Sequence, residues 1–320
     1  RQRMLMRCEG NPLYTEELLA AGLDGRGAAP QSLRDAFMLR LERLGEDTRR
    51  ALRVLAVARR ADEPLLAELA GLDLPTATEA LREAVAGHVL EAGADGRLSF
   101  RHALLREVAY EDLLPGERAA LHLQLAHALD RRWAAGAAGD AASVAQIAAH
   151  AYAGGDRRLA LLASLQAAAQ ASAIHAHGEA AMHLERALES WPHVEDPAAA
   201  AGIDHVELLV RAAAEHADES RAEAMLRAAL AEVDAGAEPV RAADILERLA
   251  RRQWHLSRGD EALATAQRAL ELLPEGRDDA ARASVLAWLA RTTLLRGRFR
   301  DAVDAAVSYT HLRAHETGRN

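Results

Sequence analysis

Gly259-Asp260-Glu261-Ala262-Leu263-Ala264-Thr265-Ala266-Gln267-Arg268-Ala269-Leu270-Glu271-Leu272-Leu273-Pro274 carries the register that decides how this chain folds. Ala262 and Ala269 are seven residues apart, two helical turns, and so lie on one face of a helix. Pro274 follows where a helix has to stop. The same spacing recurs at Ala180 and Ala187, with Pro192 behind them, and at Ala222 and Ala229. First members are 42 and then 40 residues apart, and Ala302 lies 40 beyond Ala262. A period near 40 is the signature of stacked helix–turn–helix units, in which each unit buries its apolar face only against its neighbours. Small residues at the shared face let paired helices approach closely. The expectation is an α-solenoid whose concave face receives a partner.

Composition agrees. Half of the 320 residues are hydrophobic but only 3% are aromatic, so close packing has to come from alanine and leucine, both strong helix formers. The net charge is −9, which argues against a general nucleic-acid or anionic-membrane surface. All 39 basic residues are arginine. Without lysine the chain can supply neither a Schiff base nor the lysine of a phosphate-binding loop. A single cysteine, Cys8, forms no internal disulfide and no multi-cysteine zinc site, as expected of a cytoplasmic protein.

Working toward the N-terminus, the period changes. Leu33, Phe37, Leu41 and Leu44 are helically spaced behind Ser32, a cap residue, and Gly45 closes the run. Helices are predicted over Thr48 to Ala58, Leu65 to Ala70 and Thr76 to Ala86, the last entered through Pro75. His88-Val89-Leu90-Glu91 and Arg97-Leu98-Ser99-Phe100 then flank Ala94-Asp95-Gly96, a β-hairpin with an Asp-Gly turn. Helices followed by one hairpin describe a winged-helix domain. Its candidate recognition helix carries Glu79, Arg82 and Glu83, and Ser32 to Pro115 holds 12 arginines against 15 acids, so direct nucleic-acid binding is not expected. Helical periodicity resumes over His102 to Leu114 and Glu117 to Trp133.

Three resemblances attach to these residues. Leu249-Ala250, Ala262, Ala269 and Pro274, and again Gly297-Arg298-Phe299-Arg300-Asp301-Ala302, resemble tetratricopeptide repeats. Arg7-Cys8-Glu9-Gly10-Asn11-Pro12-Leu13 resembles the glycine-x-proline-leucine signature that ends the nucleotide-binding module of signal-transduction ATPases with numerous domains (STAND ATPases). That resemblance implies an adenine contact at Pro12. Phe100-Arg101-His102-Ala103-Leu104-Leu105 resembles the methionine-histidine-aspartate segment of the same superfamily. It implies that His102 senses the diphosphate of ADP, while Ala103 stands where the family carries its aspartate. Leu33-Arg34-Asp35-Ala36, Leu41-Glu42-Arg43-Leu44 and Leu113-Leu114-Pro115-Gly116-Glu117-Arg118 further resemble bacterial LuxR-type large ATP-binding regulators.

The resemblance implies residues 1–30 as the end of a nucleotide-binding module, 31–116 as the winged helix and 117–307 as the repeat array. Residues 308–320 lose the register, with Tyr309 where a small residue is due, and read as a non-native tail. Gly10, Asn11, Pro12 and His102 are the expected nucleotide contacts, with ATP or ADP and Mg held by a longer parent protein. The implied function is a signal-responsive ATP-binding transcriptional regulator, in which this chain relays nucleotide state and offers a helical arm to a protein partner or small-molecule inducer. Activated parents of this kind are expected to oligomerise. Two alternatives stay open, namely the regulatory part of a nucleotidyl cyclase and a helical scaffold without nucleotide control. No catalytic residue, metal site or membrane contact is expected. His175, His177 and His183 cluster in sequence, but residues two apart on a helix face different ways.

Overall fold

The computed structural model describes residues 33–136, 141–273 and 279–317. The chain divides into two compact units, one running to Gly139 and including Ala149–Asp156, the other made of Asp140–Ala148 and Arg157 onward.

The first unit begins with α1 (Leu33–Glu42), α2 (Glu46–Ala58), β1 (Arg60–Ala61), α3 (Glu63–Ala70) and α4 (Leu74–Ala86). It continues through β2 (Leu90–Ala92), β3 (Leu98–Phe100), α5 (Ala103–Glu111) and α6 (Pro115–Ala134). Local chemistry sets the boundaries. The Asp62 carboxylate accepts the Leu65 N–H at 2.8 Å and Asp73 that of Thr76 at 2.9 Å, each satisfying a donor that a helix start leaves without a partner. Gly71, at φ 64°, ends α3 in the left-handed region. Phe37, Leu55, Leu66 and Leu105, all fully buried, bring α1, α2, α3 and α5 around one core.

The sheet has three antiparallel strands in the order β1-β3-β2, so the winged helix is present with one strand more than the predicted hairpin. Arg60 pairs with Ser99 and Ala61 with Leu98. The predicted first hairpin strand also starts too early. Gly87 and His88 turn the chain out of α4, His88 at φ 57°, and pairing begins only at Leu90, opposite Phe100. Helix α6, assigned from sequence to the head of the array, packs on α2 and α3 and buries Leu125 and Ala128 in the first core.

Helix α7 (Ala141–Gly154) has its first residues, through Ala148, in the second unit and the rest in the first; the second unit continues with α8 (Arg157–Ala173) and α9 (His177–Ser190), then a 3₁₀ turn at Trp191–His193 that contains Pro192, and the short α10 (Pro197–Ala201). After these come α11 (His205–Glu215), α12 (Glu219–Glu232), α13 (Pro239–His255), α14 (Gly259–Leu272), α15 (Asp279–Leu295) and α16 (Phe299–Thr317). Four antiparallel hairpins result, α8–α9, α11–α12, α13–α14 and α15–α16, each second helix packing on the next first helix. The register residues Ala180, Ala187, Ala222, Ala229, Ala262 and Ala269 are all fully buried at 0% exposure, and Ala302 is buried too. The fold is therefore mainly α, a winged-helix-like unit followed by a tetratricopeptide-like solenoid. Tyr309 lies half-buried on α16, which runs on to Thr317. Among the described residues no helix is long and apolar enough to cross a membrane.

Candidate functional site

Gly10, Asn11 and Pro12 lie outside the described residues. His102 is placed at the N-cap of α5, immediately after β3, in extended conformation (φ −127°, ψ 134°). Buried Phe100 anchors the strand two residues earlier, and the His102 carbonyl accepts the Leu105 N–H at 3.0 Å. The imidazole is half-buried at the start of a helix, where backbone N–H groups and the dipole favour an anion.

The charged residues of α4 serve the fold. Arg82 pairs with Glu79 on its own helix. Glu83 accepts the Gly45 N–H at 3.2 Å and the hydroxyl of buried Thr48, so it caps α2 from a neighbouring helix.

A second polar cluster ties α5, α6 and α7 together. The Tyr110 hydroxyl lies 3.2 Å from Nε2 of His122, and Nδ1 of His122 lies 2.8 Å from Nδ1 of His150. A consistent set of protons has Tyr110 donating to His122 and His122 donating to His150. The Arg118 guanidinium sits 4.9 Å from the centre of the Tyr110 ring. Burial drives the His150 pKa down to about 4, with further contributions from the charges of His122 and Arg59. Burial also lowers that of His122. Both rings are neutral near neutral pH.

The array carries its own candidate site. Val210, Ala213 and Ala214 of α11 and Leu226 of α12 form the apolar floor of an open cavity of about 260 Å³, walled by Arg248, Arg251, Arg252 and His255 of α13. Arg252 donates to Glu219 at 3.0 Å and to the Ala213 carbonyl at 2.8 Å, so it closes the last turn of α11. Burial works against the Glu219 carboxylate, but hydrogen bonds from Arg252 and His255 outweigh it and hold its pKa below the usual range. Arg248 and Arg251 reach solvent, tethered to Asp244 at 2.8 Å and to Glu247 at 2.5 Å. Glu247 is itself buried and also accepts the Ser284 hydroxyl of α15 at 2.9 Å. The wall is thus built of basic groups each paired with a carboxylate, and the floor is apolar.

No family model matches the chain, and no curated protein sequence does. Among solved structures it is similar to a STAND protein with a tetratricopeptide repeat sensor from Pyrococcus horikoshii, at 14% identity and a TM-score of 0.39 over 98% of this chain and 50% of that one. It is also similar to BtubC from P. vanneervenii, at 19% identity and a TM-score of 0.43 over 67% of this chain and 87% of that one. The chain thus spans about half the length of the first of these proteins. Similarity at this level assigns no activity.

Among the described residues no three His, Cys, Asp or Glu side chains converge to hold a metal ion. The rings of His175 and His177 are 6.0 Å apart at centroid, and His183 is buried within α9. The cavity of the array was not legible in the sequence, because only packing brings its lining residues of α11, α12 and α13 together.

Proposed function

We infer that this chain is the regulatory arm of a STAND-type ATP-binding protein of the LuxR-type large regulator kind, acting in the cytoplasm on transcription. The winged helix relays the nucleotide state of the parent's ATPase module, and the hairpin array receives a protein partner or inducer. The observation that carries this reading is the succession from the Pro12 motif to a winged helix whose last strand delivers His102 to a helix start, followed at once by stacked hairpins. The position of His102 supports this reading, because it precedes a helix start, where backbone N–H groups and the dipole favour an anion. The phosphate-binding loop and the Mg contacts fall to the rest of the parent, since a chain without lysine cannot build that loop.

The test is ADP binding by the parent protein carrying His102→Ala or Pro12→Ala, measured by calorimetry. Losing a hydrogen bond to a charged phosphate costs about 1.5–3 kcal/mol, so His102→Ala is expected to bind at least about tenfold more weakly, and Pro12→Ala to weaken binding through lost packing on adenine. Unchanged ADP affinity in both would refute the assignment.

A further inference from the structure

A small cavity of about 200 Å³ opens in the first unit where α1, α2 and α5 meet. Its floor is apolar, made of Met38 and Leu41 of α1, Leu52 of α2 and Ala109 of α5. Its rim carries two pairs of opposite charge. Arg49 and Arg53 stand one turn apart on the same face of α2, while Glu42 ends α1 and Asp112 follows the last residue of α5. These charges line one cavity without meeting. Among the described residues, Glu42, Arg53 and Asp112 have no ion-pair or side-chain hydrogen-bond partner. Arg118 serves the backbone carbonyls of Glu111 and Leu113 and leaves the Asp112 carboxylate alone. Arg49 gives one terminal nitrogen to Glu46 at 2.7 Å, but its Nε is buried without an acceptor. A buried donor left open is costly, and folded proteins keep few of them.

We propose that this cavity binds a small apolar α-amino acid as its zwitterion, with the carboxylate on Arg49 and Arg53, the ammonium between Glu42 and Asp112, and the side chain on the apolar floor. Each part of the ligand answers one feature of the site. Guanidinium groups present a fork of N–H donors to a carboxylate, and a carboxylate oxygen supplies the acceptor that Nε of Arg49 lacks. The ammonium meets two carboxylates at two helix C-termini, where the helix dipoles also favour a cation. A simple fatty acid would set its charge against Glu42 and Asp112, and a simple amine would set its charge against the arginines. Sites for drug-sized molecules measure roughly 300–1,000 Å³, so a cavity of about 200 Å³ selects a ligand no larger than a single amino acid. None of these residues belongs to the Pro12 or His102 motif, so the proposal stands apart from the nucleotide reading.

The probes are L-leucine, leucinol, which lacks its carboxylate, and 4-methylpentanoate, which lacks its ammonium, each titrated against the full chain by saturation-transfer NMR. Leucine is expected to bind with a Kd of about 1 mM or tighter, and each analogue at least about fivefold more weakly, since each loses its exposed ion pairs and keeps the repulsion. Glycine, without an apolar side chain, should bind more weakly still. Arg53→Gln and Asp112→Asn should each weaken leucine by about fivefold. Arg53→Lys and Asp112→Glu, which keep the charges, should retain most of the affinity, a selective recovery that misfolding cannot produce. Equal affinity for leucine and either analogue would overturn the zwitterion and leave a ligand of single charge. Wild-type affinity in both neutral variants would place leucine elsewhere and overturn the site. No signal from leucine, methionine or phenylalanine at about 10 mM would reject the proposal outright, since that bounds the binding free energy below about 3 kcal/mol.

Discussion

At the scale of single residues, charged side chains satisfy the backbone groups that neighbouring helix ends leave open. Glu83 on α4 satisfies a backbone N–H and a buried hydroxyl at the start of α2, and Arg252 does the converse for the last carbonyls of α11. The pair His122 and His150 has the clearest consequence for pH. In the unfolded chain a histidine takes up a proton near its ordinary pKa of about 6.5, whereas folded His150 does so only at about 4. Above that upper value both states are neutral and folding meets no penalty. Between the two values the unfolded state binds more protons, so stability falls as pH falls, by roughly 3 kcal/mol over the whole window. Thermal melts of the full chain between pH 7 and pH 4.5 should show the first unit losing stability on acidification. The His150→Phe variant should show a distinctly shallower acid slope. Parallel slopes would mean that His150 titrates normally.

Single elements are decided by how closely backbones approach. A Cβ at Gly154 of α7 would fall 2.6 Å from the backbone nitrogen of Leu123 on α6, closer than real contacts allow. Gly154→Ala should therefore force these helices apart and lower stability by about 1–3 kcal/mol, read by urea denaturation, despite alanine's better helix propensity. A stabilised variant would show that the two helices do not meet there. The start near Pro75 was legible because proline acts on its own neighbours, whereas the caps Asp62 and Asp73 and the stop at Gly71 became evident only in the structure. Strand β1 was not legible either. Arg60-Ala61 is too short to show a period and is a strand only because Ser99 and Leu98 lie beside it.

The whole array behaves as a series of units stabilised by their neighbours. Leu263 of α14 and Glu223 of α12 are buried under the following hairpin at 2% and 6% exposure, while Val303, at the same register position in α16, is 59% exposed. Phe299 and Val307 are open on the same helix. With one stacking face uncovered, α15–α16 should open at lower free energy than α13–α14. Hydrogen exchange followed by mass spectrometry is expected to show markedly faster exchange over 299–307 than over 259–269. Equal protection would indicate that this face is covered in solution.

The alanine register, the 40-residue period, the Asp-Gly turn and the cap residues determined by themselves that the chain forms a winged helix followed by stacked hairpins, because each is a local rule acting within one or two turns. The roles proposed for Pro12 and His102 rest on short motifs, and of the two only His102 lies among the described residues, at the start of α5. What the tertiary structure alone decided is where distant residues meet. The third strand, the docking of α6 on the first core, the His122–His150 contact across 28 residues and the apolar-floored cavity beside α13 all depend on packing. No local rule reaches that far, since a helix fixes which residues share its face but not which neighbour will cover them.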